Sequence, residues 1–316
     1  MKILFALLAL LNAAAALAQP YPSKPIRIVV PFSPGGPTDV VARLIGPKMT
    51  EALGQPIIIE NKAGAGGNLG VSQVARAPAD GYTLLITSSS FAVNPALSPD
   101  ARYDPDKDFI PIAVIGSQPN FIVVNASFPA KSLAELLQMA RTQPLAFASP
   151  SSGTTPHLTA ENLFKVRAKV DITHVPFRGA GDAAAAVLAG QPPIGSMAGT
   201  APIPHLKSGR MRALAVSSSR RLPSLPDVPT LGELGYPDME DYTWVGMFVP
   251  AGTPAEIAQK LNDVVLKAAQ APEMRERLEG LTFEVNPAPL RETADYVRRE
   301  VTKWTRVVRE TGAKVE

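Results

Sequence analysis

The chain turns from a strand into a helix at Phe32-Ser33-Pro34-Gly35-Gly36-Pro37-Thr38-Asp39, directly after the apolar run Ile26-Arg27-Ile28-Val29-Val30-Pro31. A second glycine-rich turn, Asn61-Lys62-Ala63-Gly64-Ala65-Gly66-Gly67-Asn68, follows Ile57-Ile58-Ile59 in the same way. Glycine lets successive backbone N–H groups point to a common place, and the start of a helix adds the positive end of its dipole. Two such turns on neighbouring strands predict a small anion-binding site.

Segments typical of strands and of helices alternate along the rest of the chain, which predicts an α/β fold with helix-covered parallel strands. Strands are predicted at 26–31, 57–60, 82–87, 110–115, 121–125, 145–148, 172–176, 212–217, 243–249 and 282–285. Helices are predicted at 38–53, 68–77, 132–141, 155–164, 182–189, 201–207, 254–271 and 290–311. Gly46-Pro47 is expected to kink or split the first helix. Ser132-Leu133-Ala134-Glu135 is typical of a capping box.

The order of these segments predicts two lobes that are not both continuous in sequence. The strand at 121–125 leads into a new series of βα units, and the strand at 243–249 precedes helical segments that have no sheet of their own. We therefore expect residues 19–123 and 246–316 to form lobe one and residues 124–245 to form lobe two. The two crossings between the lobes would make a hinge beside a ligand cleft.

The first residues predict secretion. Met1-Lys2 is a short positive start, residues 3–11 are apolar and Ala16-Leu17-Ala18 is typical of a cleavage site, so we expect residues 1–18 to be a signal peptide. A membrane anchor is the alternative, but the apolar stretch is shorter than the roughly 20 residues that a spanning helix needs. Without cysteine there are no disulfides, no thiolate chemistry and no lipid-bearing cysteine. A free periplasmic protein fits best.

Composition argues against several classes of function. Hydrophobic residues make up 46% of the 316 residues and charged residues 19%, which is typical of a globular protein. The net charge of +3 is scattered, without a basic cluster interleaved with aromatic residues, so nucleic acid is not an expected partner. His157, His174 and His205 are too widely spaced for a zinc pattern. We expect neither a metal nor a cofactor.

Many short motifs, taken in their order along the chain, resemble the Bug family of periplasmic solute receptors, the binding components of tripartite tricarboxylate transporters. These motifs are residues 21–32, 34–39, 60–68, 79–85, 151–158, 177–179, 212–216, 225–230 and 250–254. The resemblance implies a two-lobed type II periplasmic-binding-protein fold. It also implies a function, the capture of a small organic acid, commonly a carboxylate, between the lobes and its delivery to membrane transporter subunits. We expect the receptor to be a monomer.

One segment departs from the family's pattern. Members usually continue Gly190-Gln191 with a hydrophobic residue and an aspartate, whereas this chain continues with Pro192-Pro193-Ile194. We interpret the two prolines and the missing carboxylate as a change at a strand entry close to the cleft. Ligand preference on that side is therefore not carried over from relatives.

The candidate ligand-binding residues lie at the two glycine-rich turns, at the ends of strands and in the motifs of lobe two. Lobe one is expected to hold a carboxylate through backbone N–H groups and hydroxyls of residues 33–38, 64–68 and 88–90. Lobe two is expected to contact the far end of the ligand through residues 152–157, 178–182 and 195–200. The candidates are Phe32, Ser33, Gly36, Thr38, Gly64, Ala65, Gly66, Gly67, Asn68, Ser88 and Ser89 in lobe one, and Ser152, Thr154, His157, Arg178, Gly179 and Asp182 in lobe two.

Plainer roles compete with binding at several of these positions. They are a helix cap for Thr38 or Asp39 and for Asp182, exposed loop hydroxyls for Ser88 and Ser89, a helix-start role for His157 and an outward charge for Arg178. The second turn is no dinucleotide fingerprint, because its glycines do not follow the spacing G-x-G-x-x-G.

Two classes of function remain. One is a receptor that delivers a carboxylate to a membrane transporter, and the other is a periplasmic enzyme that acts on a small acid. The enzyme is disfavoured, because Gly195-Ser196-Met197-Ala198-Gly199 does not match the nucleophile elbow G-x-S-x-G and neither a metal cluster nor a cysteine is present to do chemistry. We expect a receptor whose lobes close on the ligand.

Overall fold

The computed structural model describes residues 21–98 and 101–311. The signal peptide predicted at residues 1–18 lies outside these described residues. Across the two described ranges, no helix has the length and apolar character needed to cross a membrane. The names lobe one and lobe two are kept below for the residue sets predicted from the sequence.

A mixed sheet organises the described part of the chain. Its strands are β1 (Ile26–Val30), β2 (Ile57–Asn61), β3 (Thr83–Ser88), β4 (Phe109–Asn125), β5 (Leu145–Ser149), β6 (Ile172–Pro176), β7 (Ile194–Ala198), β8 (Met211–Val216) and β9 (Tyr242–Pro250). Their order is β2-β1-β3-β9-β4-β7-β5-β6, and β8 also pairs with β4. The expectation of parallel strands holds for β1 to β3 and for β5 to β7. It is wrong for β4 and β9, which are antiparallel to their neighbours.

The antiparallel pair follows from how the chain passes between the predicted lobes. Strand β4 carries the chain from lobe one to lobe two, and β9 carries it back. Because these two strands lie side by side, they run in opposite directions. The sequence predicted two strands within β4, but the structure has one of 17 residues. Its first part, 109–119, pairs with β9, and its second part, 120–125, pairs with β7 and β8. Gly116 and Pro119 resemble a break because strands are depleted in both residue types.

Helices cover both faces of the sheet. They are α1 (Pro37–Leu53), α2 (Asn68–Ala75), α3 (Ser90–Leu97), α4 (Leu133–Ala140), α5 (Thr155–Glu161), α6 (Ala180–Ala189), α7 (Ile203–Lys207), α8 (Ala255–Gln270), α9 (Pro272–Glu279) and α10 (Leu290–Thr311). A 3₁₀ turn, Ala65–Gly67, precedes α2, and a π-helical stretch, Asn162–Arg167, follows α5. In each lobe, buried apolar side chains fill both sides of the sheet.

Several elements differ from the sequence prediction. Strand β7 and helices α3 and α9 were not predicted; α3 lacks helical periodicity because its apolar residues are buried all round. Residues 282–285 are not a strand and make one isolated bridge, between Glu284 and Ser117. Helix α1 is not split at Gly46-Pro47. Pro47 lies on its exposed side, so the carbonyl that loses its partner there can bond to water.

The capping box at the start of α4 is confirmed. The Ser132 hydroxyl accepts a hydrogen bond of 3.2 Å from the Glu135 backbone N–H. The Glu135 carboxylate in turn accepts from the Lys131 backbone N–H at 2.7 Å. Two backbone donors that the first helical turn cannot satisfy are therefore paired by side chains.

Candidate functional site

A small cavity lies between the predicted lobes, where loops from both lobes meet near the ends of the strands. Its volume of about 30 Å³ holds roughly two or three water molecules, because one water needs about 10–15 Å³ by the same measure. The lining residues are Phe32, Gly36, Pro37, Thr38, Ser88, Pro150, Thr154, Pro156, Ala180, Ala198 and Thr243. None of these lining side chains carries a charge, and four of them carry a hydroxyl.

Thr38 presents a free hydroxyl at the start of a helix. It is the second residue of α1 and is only 2% exposed. Its hydroxyl has no hydrogen-bond partner in the described part of the chain, and it lines the cavity. Gly36, also in the lining, is the N-cap and leaves the first N–H groups of the helix without a side-chain cap. This wall of the cavity therefore offers hydrogen-bond donors.

The Asp39 carboxylate fixes the conformation of the first glycine-rich turn through hydrogen bonds. It accepts hydrogen bonds of 3.0 Å from the Gly35 N–H and the Asn61 amide, and it pairs with Arg43 at 2.9 Å. Burial alone would raise the pKa of Asp39, but the hydrogen bonds from Arg43, Gly35 and Asn61 hold it below its ordinary value. The Asn61 amide also donates to the Phe32 carbonyl at 3.0 Å. The first turn is thus fixed to the end of β2.

The second glycine-rich turn supports the cavity without lining it. Gly67 has φ +97°, and a Cβ there would lie 3.1 Å from Cζ of the Phe32 ring. Gly66 has φ +66°, and a Cβ there would lie 2.9 Å from the carbonyl oxygen of Ser152. Both positions therefore need glycine for conformation and for close approach. The missing side chain at Gly67 leaves room for the Phe32 ring. The missing side chain at Gly66 lets this turn of lobe one contact the Ser152 carbonyl of lobe two.

An asparagine on α3 holds the same turn in place. The Asn94 amide donates to the Gly66 carbonyl at 2.9 Å and to the side-chain oxygen of Asn68 at 3.0 Å. Gly64 and Ala65 open the turn at positive φ and are also outside the lining. The candidates Gly64, Ala65, Gly66, Gly67 and Asn68 thus lie together behind the cavity wall.

The two lobes also meet through backbone atoms. The Ser33 N–H donates to the Arg178 carbonyl at 3.0 Å. A Cβ on Gly179 would overlap Ser33 Oγ, and a Cβ on Gly181 would overlap the Pro34 carbonyl oxygen. The buried Ser33 hydroxyl itself has no partner in the described chain. Glycine at the start of α6 is therefore what allows this contact between the lobes.

Two charged candidates of lobe two point away from the cavity lining. The side chains of Arg178 and Asp182 are exposed, and neither residue is in the lining. The N-cap of α6 is Gly179, without a side-chain cap, so Asp182 does not cap this helix. Ala180, the first residue of α6, lines the cavity instead.

The serines at the end of β3 and directly after it are buried, so the alternative of exposed loop hydroxyls is wrong. Ser88 lines the cavity, and its hydroxyl lies 3.1 Å from that of Ser90. The Ser89 hydroxyl lies 3.0 Å from Oγ1 of Thr155, the first residue of α5. Because Ser89 belongs to lobe one and Thr155 to lobe two, this pair is a further link between the lobes.

The loop before α5 forms the opposite wall. Pro150, Thr154 and Pro156 line the cavity, and the Thr154 hydroxyl donates to the Ser151 carbonyl at 2.8 Å. Ser152 is half-buried and contributes its carbonyl to the contact with the second turn.

His157 supports this loop from outside the lining. Its Nδ1 accepts from the Gly153 N–H at 3.2 Å, and its ring stacks on His174 at 4.0 Å. Burial lowers the pKa of His157 to about 4 and that of His174 to about 3, so both rings are neutral at pH 7.

About half of the lining was not named among the candidate residues. Pro37, Pro156, Ala180 and Ala198 carry no functional group, but they lie in segments that the sequence predicts to contact the ligand, whereas Pro150 lies outside those segments. Thr243 was also missed, although a hydroxyl near the start of the returning strand β9, beside the expected hinge, is a signal that could have found it. Phe32, Gly36, Thr38, Ser88 and Thr154 are the candidates that the structure does bring together around the cavity.

The placement of the two prolines near the cleft is wrong. Pro192 and Pro193 precede β7, whereas the lining residue Ala198 is its last residue. The four residue-to-residue steps along the strand from Ile194 to Ala198 span about 13 Å, since each step adds about 3.3 Å. The Pro193 carbonyl accepts from the Asn125 N–H at 2.7 Å, at the end of the sheet away from the cavity.

Comparison with known proteins gives consistent matches along the chain. The profile of the tripartite tricarboxylate transporter family receptor matches residues 41–313. The protein BugT of Bordetella pertussis is 36% identical over 100% of this chain and 99% of its own. The structure of the periplasmic binding protein BugD superposes with a TM-score of 0.89 at 33% identity, over 94% of this chain and 100% of BugD.

A further solved structure is that of MatC from Rhodopseudomonas palustris with bound malate. It is 37% identical, has a TM-score of 0.84, and the match covers 91% of this chain and 100% of MatC. These superpositions confirm the predicted two-lobed periplasmic-binding-protein fold. With a family profile and full-length relatives in agreement, this chain belongs to the receptor family of the tripartite tricarboxylate transporters, which includes the Bug proteins.

Proposed function

We propose that this protein works in the periplasm as a receptor that captures a small organic acid between its lobes and delivers it to a membrane transporter of the tripartite tricarboxylate type. The observation that carries the proposal is the unpartnered Thr38 hydroxyl at the start of α1, buried in a lining without charge. A carboxylate is the ligand group that best satisfies such donors. Malate in the solved structure of MatC is an acid of this kind.

Electrostatics supports an anion in an uncharged lining. Helix α1 begins at the cavity with Pro37 and Thr38, and α6 begins there with Ala180. Each helix start carries a partial positive charge and N–H groups that have no partner within the helix. A hydrogen bond to a charged group contributes roughly 1.5–3 kcal/mol, so a few such donors hold a carboxylate without a buried arginine.

The division of labour between the lobes is part of the proposal. Residues 19–123 and 246–316, as lobe one, supply the carboxylate wall at Thr38 and Ser88. Residues 124–245, as lobe two, contact the far end of the ligand near Thr154 and Ala180. A ligand that touches both lobes binds the closed arrangement more tightly than the open one, and only that difference drives closure.

The test is Thr38→Val, which keeps the shape of the side chain and removes its hydroxyl. Because this hydroxyl has no partner in the described chain, stability should change little. Affinity for a bound acid should fall about tenfold or more, the equivalent of one charge-assisted hydrogen bond. Calorimetry with mono- and dicarboxylic acids of three to six carbons, malate included, measures the effect.

Thr173→Val is the matched control, since Thr173 is exposed on β6. It should bind as the unchanged protein does. Mass spectrometry of the recovered ligand separates a receptor, which returns the acid unaltered, from an enzyme. Binding by Thr38→Val equal to that of the unchanged protein would contradict the proposed carboxylate wall, and the absence of any bound acid would contradict the function.

A further inference from the structure

A chain of side-chain hydrogen bonds joins the crossing strands to the cavity wall. Asn120 lies on β4 and Thr243 on β9, and Asp241 directly precedes β9. The Asn120 amide nitrogen lies 3.3 Å from Asp241 Oδ2, and its amide oxygen lies 2.8 Å from Thr243 Oγ1. Thr243 Oγ1 is 2.6 Å from Thr155 Oγ1, which is 3.0 Å from Ser89 Oγ.

The carboxyl group at one end, when ionised, decides the direction of every hydrogen bond in this chain. The Thr159 hydroxyl lies 2.7 Å from Asp241 Oδ2 and 2.8 Å from the Thr155 carbonyl oxygen, so this contact alone does not set a direction, but an ionised carboxylate oxygen can only accept. Burial raises the pKa of Asp241 to about 7, so the carboxyl group is ionised above that pH. The Asn120 amide must then turn its N–H₂ to Asp241 and its oxygen to Thr243. Thr243 therefore donates its single hydroxyl hydrogen to Asn120.

The remaining hydroxyls follow in order. Since the hydrogen of Thr243 is committed, Thr155 must donate to Thr243, and Ser89 must donate to Thr155. All the hydrogens point along the chain of hydrogen bonds toward Asp241. Thr243 lines the cavity, and because its hydroxyl hydrogen is committed, its hydroxyl can only accept a hydrogen bond from a ligand.

The two walls of the cavity thus differ in what they offer. The Thr154 hydroxyl, like that of Thr243, has no hydrogen left for a ligand, because it donates its hydrogen to the Ser151 carbonyl at 2.8 Å. The Thr38 hydroxyl, by contrast, is uncommitted and lies at a helix start. One wall therefore suits a carboxylate, and the wall formed by Thr243 and Thr154 suits a group that carries its own hydrogen.

We propose that the site selects carboxylic acids that also carry a hydrogen-bond donor, a hydroxyl or an ammonium group, and that Thr243 recognises this donor. The inference rests on the proposed function, because the carboxylate must be held at Thr38. An acid without the donor leaves a remaining lone pair on the Thr243 and Thr154 hydroxyl oxygens without a hydrogen bond and gains one hydrogen bond fewer, which lowers affinity. Asp241 is a positioning residue, since it acts on Thr243 through Asn120.

The experiment is calorimetry with matched acids of three to six carbons, each as the unsubstituted acid, its 2-hydroxy form and its 2-amino form. Succinate, malate and aspartate make one such set. The unchanged protein should bind the hydroxy or the amino form about threefold to tenfold more tightly than the unsubstituted acid, the effect of one neutral hydrogen bond. The comparison of these two forms tells which donor the site takes.

Variants of Thr243 locate the effect. Thr243→Val removes the oxygen at nearly constant shape, so the preference should fall to about onefold. Thr243→Ser keeps the oxygen and should retain the preference. A preference that survives in Thr243→Val would overturn the inference, as would equal binding of all three forms by the unchanged protein.

Asp241→Asn tests the positioning role without touching Thr243. An amide at 241 no longer forces the Asn120 amide into one orientation, so Thr243 is freed to donate and the preference should shrink. A merely structural role would weaken all three forms of the acid alike and leave their ratio unchanged, which would contradict this role. If no acid of any set binds to the folded protein, the proposed function itself fails, and that outcome is distinct from binding without preference.

Discussion

The buried His157 and the half-buried His174 support one wall of the cavity although neither lines it. His174 Nε2 lies 2.7 Å from the Ser149 hydroxyl, and His157 Nδ1 accepts from the Gly153 N–H. A proton on His157 Nδ1 would set a donor against a donor and break the second bond. The loop that carries Pro150 and Thr154 therefore depends on neutral rings, which the low pKa values of both histidines maintain.

This dependence predicts a loss of stability in acid. The pKa of His157 is about 4 in the folded chain and 6.5 for the free side chain. Between these values the unfolded chain binds a proton that the folded chain excludes, so the free energy of unfolding falls as pH drops from 6.5 to 4. The shift corresponds to about 3 kcal/mol for His157 at the acid end.

Urea unfolding at a series of pH values from 7.5 to 4 measures the slope. His157→Gln keeps an acceptor for the Gly153 N–H and cannot be protonated, so its slope should be smaller. His205→Gln is the control, because His205 lies on α7 away from this loop. Equal slopes for His157→Gln and the unchanged protein would show that His157 is not the group responsible.

At the scale of elements, the first turn and the start of α6 approach each other backbone to backbone. Gly181, the second residue of α6, has no room for a methyl group beside the Pro34 carbonyl. Its backbone is otherwise helical, so alanine is compatible with the local conformation. The absence of a side chain is therefore needed for the contact between the lobes rather than for the helix.

Gly181→Ala should separate binding from stability. Alanine favours a helix over glycine by up to about 1 kcal/mol, so the thermal midpoint should stay the same or rise. Affinity for a bound acid should fall about tenfold or more, because the lobes cannot come together. Gly232→Ala is the control, since the nearest atom to its Cβ would be 3.6 Å away. Unchanged affinity in Gly181→Ala would mean that binding does not require this contact.

At the scale of the whole molecule, two antiparallel strands carry the chain between the lobes. The cavity lies beside them and holds only about 30 Å³. If the proposed acid is of the size of malate, it is larger than this space, so we expect the lobes to separate for entry and to close around a slightly wider cavity. A shift from mostly open to mostly closed needs about 5 kcal/mol of differential binding, within reach of a few buried polar contacts.

Small-angle scattering measures this closure directly. The radius of gyration of the unchanged protein should decrease when the binding acid found by calorimetry is added at saturation. Gly181→Ala at saturating acid should show a smaller decrease. A radius that does not change in a protein that binds would show that the lobes do not move as predicted.

The sequence by itself determined the local features of this protein. The glycine-rich turns, the capping box at Ser132 and the positions of most strands depend on a few neighbouring residues. Their backbone preferences are therefore readable without the rest of the chain. The resemblance to the receptor family rests on the same local motifs, and it correctly predicted the fold.

Only the tertiary structure decided which residues meet. Thr38, Thr154 and Thr243 are far apart along the chain. They meet at the cavity because the paired strands β4 and β9 hold the two parts of the sheet next to each other. The same folding places Pro192 at the far end of β7 and leaves the side chains of Arg178 and Asp182 in solvent. The direction and the exposure of a side chain are set by packing between segments that are far apart in sequence. Local sequence patterns do not show which of these segments come into contact.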